Sequence, residues 1–141
     1  MLTDAGGVPL AAVVDAANAP EGPMGLAVAM AAAEALPVPE GTRVLADKAY
    51  DDDWLRGEFD RLGLVLVARH RKNRVKPKTS DGRSERRLVR RWKIERTNAW
   101  LHSYRRALTR YEKSIRRYEG FVSLACAFIA LGKLMGHGVA K

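Results

Sequence analysis

A single cysteine, Cys126, is the first scarcity in this 141-residue sequence. One thiol allows neither an intrachain disulfide nor a zinc site built from thiolates. The histidines His70, His102 and His137 show no ligand spacing with one another or with the cysteine, so a zinc site is not expected. We therefore expect a cytoplasmic location, and we interpret Cys126 as a small core residue of an apolar helix.

Long hydrophobic runs are also lacking. The uncharged stretch 121–131 is well short of the roughly 20 residues that span a bilayer, and it is better interpreted as a buried helix. The first residues lack the charged start, apolar stretch and cleavage site of a signal peptide. We expect neither export nor a membrane partner.

Acidic residues are scarce in the second half of the chain. Residues 1–60 contain 3 Lys or Arg against 11 Asp or Glu, whereas residues 61–141 contain 22 against 5, and the net charge is +9. So dense a basic half predicts binding to nucleic acid or another anionic surface, and the acidic half would repel such a partner unless divalent cations bound there. With 47% hydrophobic residues, the length and composition predict one folded domain over residues 1–141.

The order of predicted elements indicates an α/β fold. An apolar strand over 8–14 follows a glycine turn, and an alanine-rich helix covers 24–36. A buried strand at 44–46, a helix that begins at the acids 51–53 and ends at Gly63, and an apolar strand at 64–68 come next. Strand, helix, strand is the unit of a parallel sheet.

Residues 69–83 are predicted to be a basic loop, because the segment is polar and is interrupted by Pro77 and Gly82. Helices are expected over 84–135. Apolar side chains at steps of three and four predict a first helix of more than twenty residues, and an apolar second helix runs from about Ile115 to Met135. The stripe of the first helix consists of Ile94, Thr97, Leu101, Tyr104, Leu108 and Tyr111.

Carboxylates at the end of the first buried strand are candidates for metal binding. Asp47 follows that strand directly, where open parallel sheets place ligand and catalytic groups, although it could equally cap the next turn. Asp51, Asp52 and Asp53 are more simply interpreted as acids that start the following helix.

Glu95 is a second candidate, because it is one acid among many cations on a predicted helix. Arg91 lies one turn before it, and Asn98 and His102 lie one and two turns after it, so the four are expected to share one face. Taken alone, Glu95 is more simply explained by an ion pair with Arg91, which is the more common role of such a residue on a basic helix. The catalytic interpretation depends on combining it with Asp47.

Nearly all charges of the basic loop over residues 69–83 have one sign, which favours contact with the DNA backbone over a merely solvated loop. No pattern for reading bases is visible. Trp92 and Trp100 are candidates for stacking on a base, but burial against neighbouring helices is the more common role of such aromatics. The candidate DNA contacts are Arg69, Arg71, Lys72, Arg74, Lys76, Lys78, Arg87, Arg90 and Arg96.

Three stretches of the sequence carry a resemblance to a known family. They are Ala46 to Asp51, Val67 to Arg74 and Trp92 to His102. They resemble bacterial insertion-sequence transposases of the DDE type, most closely the insertion-sequence five family, and the resemblance covers nearly all of residues 2–135. It implies an RNase H-like α/β fold that presents two Asp and one Glu to two magnesium or manganese ions for DNA strand cleavage and strand transfer.

Residue by residue, the resemblance implies that Asp47 is the second Asp, Glu95 the Glu, and Arg91 the arginine one turn before that Glu. Asp47 and Glu95 are then metal ligands, and Arg91 is a contact of the scissile phosphate. The implied partners are transposon ends and target DNA, with homo-oligomerisation of the complete protein.

The family's first catalytic Asp has no match in this sequence. Asp4 falls in the turn between two strands of the resembling fold and is expected to serve turn geometry. We therefore expect the C-terminal part of a transposase catalytic domain, either a truncated remnant or a downstream frame completed by an upstream product. We expect it not to cleave DNA alone, and the partial mixed sheet, which lacks its first strand, is expected to fold marginally or to associate.

Two other functions remain open from the sequence. A non-catalytic nucleic-acid-binding module needs only the basic segment, with the carboxylates incidental. An RNA-binding role is a third candidate.

Overall fold

The computed structural model describes residues 1–16, 18–77 and 82–136. The chain divides into a central unit, Asn18–Arg91, and a terminal unit made of Met1–Ala17 and Trp92–Lys141. The organisation as one domain stays a prediction. The elements in chain order are β1 (Leu2–Thr3), β2 (Pro9–Ala11), α1 (Glu21–Ala35), β3 (Thr42–Ala46), a 3₁₀ turn (Lys48–Tyr50), α2 (Asp53–Arg61), β4 (Leu64–Ala68), α3 (Gly82–Glu85), a 3₁₀ segment (Arg86–Arg91), α4 (Trp92–Leu101), α5 (Arg105–Leu108) and α6 (Ile115–Leu134).

The central unit is built on the parallel pair β3 and β4, which confirms the predicted strand–helix–strand order. Their register runs from Thr42 opposite Leu64 to Ala46 opposite Ala68, so both strands end at the same edge. The buried core beneath them combines side chains of α1, α2 and β4, as the apolar character of these segments predicts. Its buried members are Ala29, Leu55, Phe59, Leu64 and Leu66.

Helix α2 begins and ends as the sequence predicts. The Asp52 carboxylate accepts a hydrogen bond from Trp54 N at 2.8 Å, and Asp53 lies in the first turn. Gly63 has φ +70°, a left-handed conformation that ends the helix and that glycine adopts without strain.

The terminal unit starts with an antiparallel hairpin of β1 and β2, so the strand expected over 8–14 forms only at Pro9–Ala11. Asp4 organises the turn, because its Oδ1 accepts hydrogen bonds from Gly6 N at 2.7 Å and Val8 N at 2.8 Å. This confirms the structural role predicted for Asp4.

Helix α4 holds this turn through three donors on one of its faces. Lys93 Nζ, Arg96 Nη2 and Thr97 Oγ1 donate to the carbonyls of residues 5, 6 and 7 respectively, the last at 2.7 Å. Gly7 has φ +85°, and a Cβ there would lie 3.0 Å from Thr97 Oγ1. A side chain at this position would be strained by the backbone conformation and would crowd Thr97, so the turn favours glycine.

The single long helix predicted from residue 94 onward is wrong. Helix α4 ends at Leu101, and Tyr104 has the extended angles φ −90° and ψ 103° before α5. This break shifts the helical register, so that Ala107 lies in the core while Leu108 and Tyr111 are exposed. Leu101 and Tyr104 keep their predicted place in the core beside α6.

Helix α6 matches its predicted bounds almost residue for residue, and Cys126 packs at the edge of the same core. The predicted burial of the stretch 121–131 is wrong in part, because Leu124, Phe128 and Leu131 lie on a face that is about half exposed. Burial raises the pKa of the Cys126 thiol, as expected for a structural cysteine. In the ranges that the structure describes, no helix is long and apolar enough to cross a membrane.

The expected mixed sheet is not found in the described ranges, where the four strands form two separate two-stranded sheets. The physical reason is strand length: β1 has 2 residues and β2 has 3, which leaves few backbone groups to pair with a further strand. A mixed α/β architecture is confirmed, and its RNase H-like character stays a prediction.

We expect Thr97→Val to lower the free energy of unfolding by about 1 kcal/mol, because valine keeps the shape but leaves the Gly7 carbonyl without its buried donor. Thr97 is 0% exposed, so water does not replace the hydroxyl. Denaturant unfolding measures the change. Thr109→Val, at an exposed threonine of the same unit, is the control. Equal stability of the two variants would contradict a stabilising role for the contact between the hairpin turn and α4, which we call the latch.

Candidate active site

Asp47 lies at the carboxyl end of β3, where the chain turns toward α2. Its Oδ1 accepts a hydrogen bond from Lys48 N at 2.6 Å and so caps the 3₁₀ turn. Tyr50 of this turn packs on α1 at Gly25, where a Cβ would come within 2.5 Å of the ring. The capping role that the sequence left open is therefore present, and it fixes the carboxylate at the sheet edge.

Arg91 contacts the same carboxylate with both terminal nitrogens. Nη1 lies 3.2 Å from Asp47 Oδ1, and Nη2 lies 3.4 Å from Oδ2. The side chain of Arg91 is 32% exposed, and that of Asp47 is 49% exposed. The 3₁₀ segment packs on β3 and is anchored by buried Leu88, which explains how Arg91 reaches a residue 44 positions earlier.

Asp51 is the centre of a buried polar network, which the sequence did not predict. Its side chain is 1% exposed, and its Oδ1 lies 2.8 Å from both Arg56 Nη2 and His70 Nδ1 and 3.2 Å from Arg74 Nη1. Its Oδ2 accepts a hydrogen bond from Arg71 N at 2.8 Å. The interpretation of Asp51 as a helix-start acid is therefore wrong, while that of Asp52 and Asp53 holds.

A signal for this network was present in the sequence. Asp51 follows β3 by a short turn, whereas His70 and Arg71 follow β4 directly. Parallel strands place both segments at one edge, so an acid and several bases meet there. Burial by itself raises the pKa of Asp51, but the Arg71 N–H, His70 and Arg56 outweigh it and hold the pKa below its usual value.

Two of the predicted DNA contacts have internal partners instead. Arg71 donates from Nε to the Lys48 carbonyl at 3.1 Å and from Nη2 to the Ala49 carbonyl, which holds the turn after Asp47. Arg74 is 10% exposed and lies 2.6 Å from Asp53 Oδ1. Carboxylates and turn carbonyls are the nearest acceptors for these guanidinium groups, so we assign both residues structural roles.

The other predicted basic contacts of the central unit are exposed. Lys76 lies 3.4 Å from Asp53 Oδ2 but keeps a largely exposed side chain. Lys78 lies outside the described residues. The exposed members are Arg69, Lys72, Lys76, Arg87 and Arg90.

Arg96, also predicted to contact DNA, is instead stacked within the terminal unit. Its guanidinium carbon lies 4.8 Å from the centre of the Trp92 ring and 4.7 Å from that of Trp100. Lys133 Nζ covers Trp100 at 4.4 Å. Trp92 is half exposed, so its predicted burial is wrong: the ring covers an arginine on the surface.

Glu95 is an exposed residue of α4 in the terminal unit, whereas Asp47 and Arg91 belong to the central unit. The expectation that one helix carries Arg91, Glu95, Asn98 and His102 on one face is wrong in part. Arg91 ends the preceding 3₁₀ segment and His102 follows the end of α4, so only Glu95 and Asn98 belong to that helix.

A divalent cation fits Asp47 by chemistry and access. Carboxylate oxygens are the hard ligands that Mg²⁺ takes, and this side chain is half exposed. In the described part of the chain, no group of three His, Cys, Asp or Glu side chains is arranged to hold a metal ion. The roles of Asp47 and Glu95 as metal ligands therefore stay predictions.

Comparison with known proteins identifies the class of protein. The family model described as the transposase DDE domain matches residues 1–129, and the chain belongs to this family. It is 30% identical over 143 residues to a protein of Burkholderia cepacia assigned as the transposase for insertion sequence element IS402. The match covers 95% of this chain and 62% of that relative. No solved structure matches the chain significantly.

These matches confirm the resemblance to DDE transposases of insertion sequences. The narrower placement in the insertion-sequence five family is consistent with them and stays a prediction. Proteins of this family generally use divalent metal ions, and transposases act on DNA.

We expect Asp51→Asn to lower the free energy of unfolding by roughly 3 kcal/mol at neutral pH, because it leaves buried cations without their charge partner. Because the pKa of Asp51 is lowered in the folded state, we expect acid to weaken the stability that the network provides. The network stabilises the fold above the unfolded-state pKa of about 4 and is lost as pH falls through the lower folded-state value.

Thermal unfolding between about pH 5 and pH 2 tests this sign, because this window contains the unfolded-state pKa. The stability difference between wild type and Asp51→Asn should shrink as the solution is acidified. Asp60→Asn, at an exposed acid of α2, is the control. A difference that does not depend on pH would contradict an ionised Asp51.

Proposed function

We propose that this chain is the part of a DDE transposase that binds DNA and supplies two of the three metal-binding carboxylates for strand cleavage and strand transfer. Asp47 and Glu95 are the proposed metal ligands, and Arg91 is the proposed phosphate contact. Divalent ions held by Asp47, Glu95 and a third carboxylate would supply activation of the attacking water or 3′ hydroxyl and charge stabilisation of the leaving oxygen.

The Asp47–Arg91 pair is the observation that carries this proposal. A carboxylate at the carboxyl end of a parallel strand occupies the position where open α/β sheets bind ligands. Beside it lies a guanidinium whose fork matches phosphate as well as carboxylate. Metal binding and phosphate binding are thus supported at one edge of the central unit.

The exposed cations of the central unit support the DNA-binding part. The stretch from Arg69 to Lys76 contains no acid, and neither does the 3₁₀ segment Arg86–Arg91. Since Arg71 and Arg74 have internal acceptors, we assign backbone contact to Arg69, Lys72, Lys76, Arg87 and Arg90. Their contribution is electrostatic and independent of base sequence.

The third carboxylate is proposed to come from a segment outside these 141 residues. The sequence contains no match to the family's first Asp, and the chain spans 62% of the curated relative it matches. An upstream-frame product or a fusion would supply it. The proposed fold of the completed protein is RNase H-like, and it acts as a homo-oligomer on transposon ends and target DNA.

The runner-up function is a non-catalytic nucleic-acid-binding module, which includes an inactive transposase remnant. The observation in its favour is that Arg91 contacts both oxygens of Asp47, so the carboxylate has an internal structural partner. In this function the carboxylates play no part in any activity.

Loss of the carboxylates separates the two functions. In a chain completed in trans by an upstream segment, with Mn²⁺ and a terminal-repeat duplex, we expect Asp47→Ala and Glu95→Ala each to reduce cleavage at least 100-fold, because each removes a proposed metal ligand. Gel analysis of nicked strands measures this, and Asp60→Ala is the control. Full cleavage by both variants would favour the runner-up, and Glu95-dependent nicking by the chain alone would contradict the missing third carboxylate.

The salt dependence of DNA binding tests whether the exposed cations after β4 contact the DNA backbone. Replacing Arg69, Lys72 and Lys76 together by alanine should reduce the slope of log K against log salt by about 3, since each phosphate contact contributes about 0.9. The matched control replaces Lys113, Arg116 and Arg117, three exposed cations just before and within the first turn of α6. Fluorescence anisotropy with a short duplex measures both, and equal losses would show that only net charge matters.

A further inference from the structure

The Asp47 carboxylate has a hydrogen-bond partner on each of its oxygens. Oδ1 accepts from Lys48 N and lies within reach of Arg91 Nη1, while Oδ2 lies 3.4 Å from Arg91 Nη2. A divalent ion would bind the same lone pairs that the guanidinium occupies. Because both are positively charged, the ion and the guanidinium compete for this carboxylate.

The Arg91 guanidinium can bind a phosphate as well as a carboxylate. Arginine presents the same planar fork to a phosphate as to a carboxylate, and charge-assisted pairs of either kind form readily. Arg91 is about one-third exposed and follows Arg87 and Arg90, both exposed, on one 3₁₀ segment. A DNA backbone drawn to these cations therefore comes within reach of Arg91.

We propose that Arg91 is an exchangeable partner of Asp47: it covers the carboxylate when DNA is absent and moves to a phosphodiester when DNA binds, which exposes Asp47 to the metal ion. Metal and DNA phosphate then bind this edge cooperatively, through one ion pair that either ligand breaks. The inference rests on the proposed function, because it takes Asp47 as a metal ligand.

The size of the effect follows from the exposure of the pair. Surface ion pairs contribute little free energy, so we expect the Asp47–Arg91 pair to weaken metal binding by about fivefold or less. Coupling between two ligands is reciprocal, so the factor by which DNA tightens metal binding equals the factor by which metal tightens DNA binding.

Mn²⁺ titration followed by electron paramagnetic resonance tests the exchange on the chain as it stands. Without DNA, we expect Arg91→Ala to bind Mn²⁺ two- to fivefold more tightly than wild type at the Asp47-dependent site, which is defined by subtracting the Asp47→Ala titration. Arg43→Ala removes the same charge from β3 and should leave the affinity unchanged. Arg91→Gln repeats the test with a polar side chain, and circular dichroism verifies folding of each variant.

A second arm measures coupling. A short duplex should raise the Asp47-dependent Mn²⁺ affinity of wild type but not that of Arg91→Ala, and Mn²⁺ should raise duplex affinity in anisotropy for wild type by the same factor. Unchanged Mn²⁺ affinity in both Arg91 variants, with binding still lost in Asp47→Ala, would overturn the exchange and leave the metal ligand intact. Mn²⁺ binding that is the same with and without Asp47 would overturn both proposals.

Discussion

One buried carboxylate, that of Asp51, organises the edge of the central unit where the candidate site lies. A charged side chain that is 1% exposed is stable only with its acceptor sites filled, and its partners come from α2 and from the segment after β4. Those partners include the backbone of Arg71, whose side chain in turn holds the carbonyls of the turn after Asp47. The position of Asp47 therefore depends on electrostatic satisfaction several residues away. The contact of His70 with Asp51 also holds the beginning of the basic loop in place.

The cations of this chain divide into those that satisfy internal partners and those that lie exposed on the surface, and hydrogen bonding places even the exposed Arg71 in the first group. Arg56, Arg71 and Arg74 satisfy internal acceptors, and Arg96 is stacked between two indole rings. The second group lies between β4 and α4 and consists of the exposed side chains of Arg69, Lys72, Lys76, Arg87 and Arg90. Density of positive charge along the sequence therefore overstates the number of residues that can contact a polyanion.

The parts of the fold that the sequence predicts well are those with local causes. Helix α2 follows from Asp52 and Gly63, the parallel pair from two apolar runs, and α6 from an uncharged stretch. Non-local contacts decided the rest. The break after Leu101 and the burial of Asp51 depend on what packs against them, which no periodicity encodes. The placement of Asp47 at a strand end was predictable, whereas its pairing with Arg91 required the 3₁₀ segment to be anchored by Leu88.

The latch between the hairpin turn and α4 has a consequence for how the protein forms. It joins residues 90 positions apart in the chain, whereas the central unit lies wholly between its two halves. Loop-closure entropy opposes such contacts until the intervening chain is compact, and folding slows as contacts become more distant in sequence. The central unit can thus collapse around its own core first and shorten the effective loop. The helix that carries Glu95 would then gain its contacts with the hairpin after the central unit has formed.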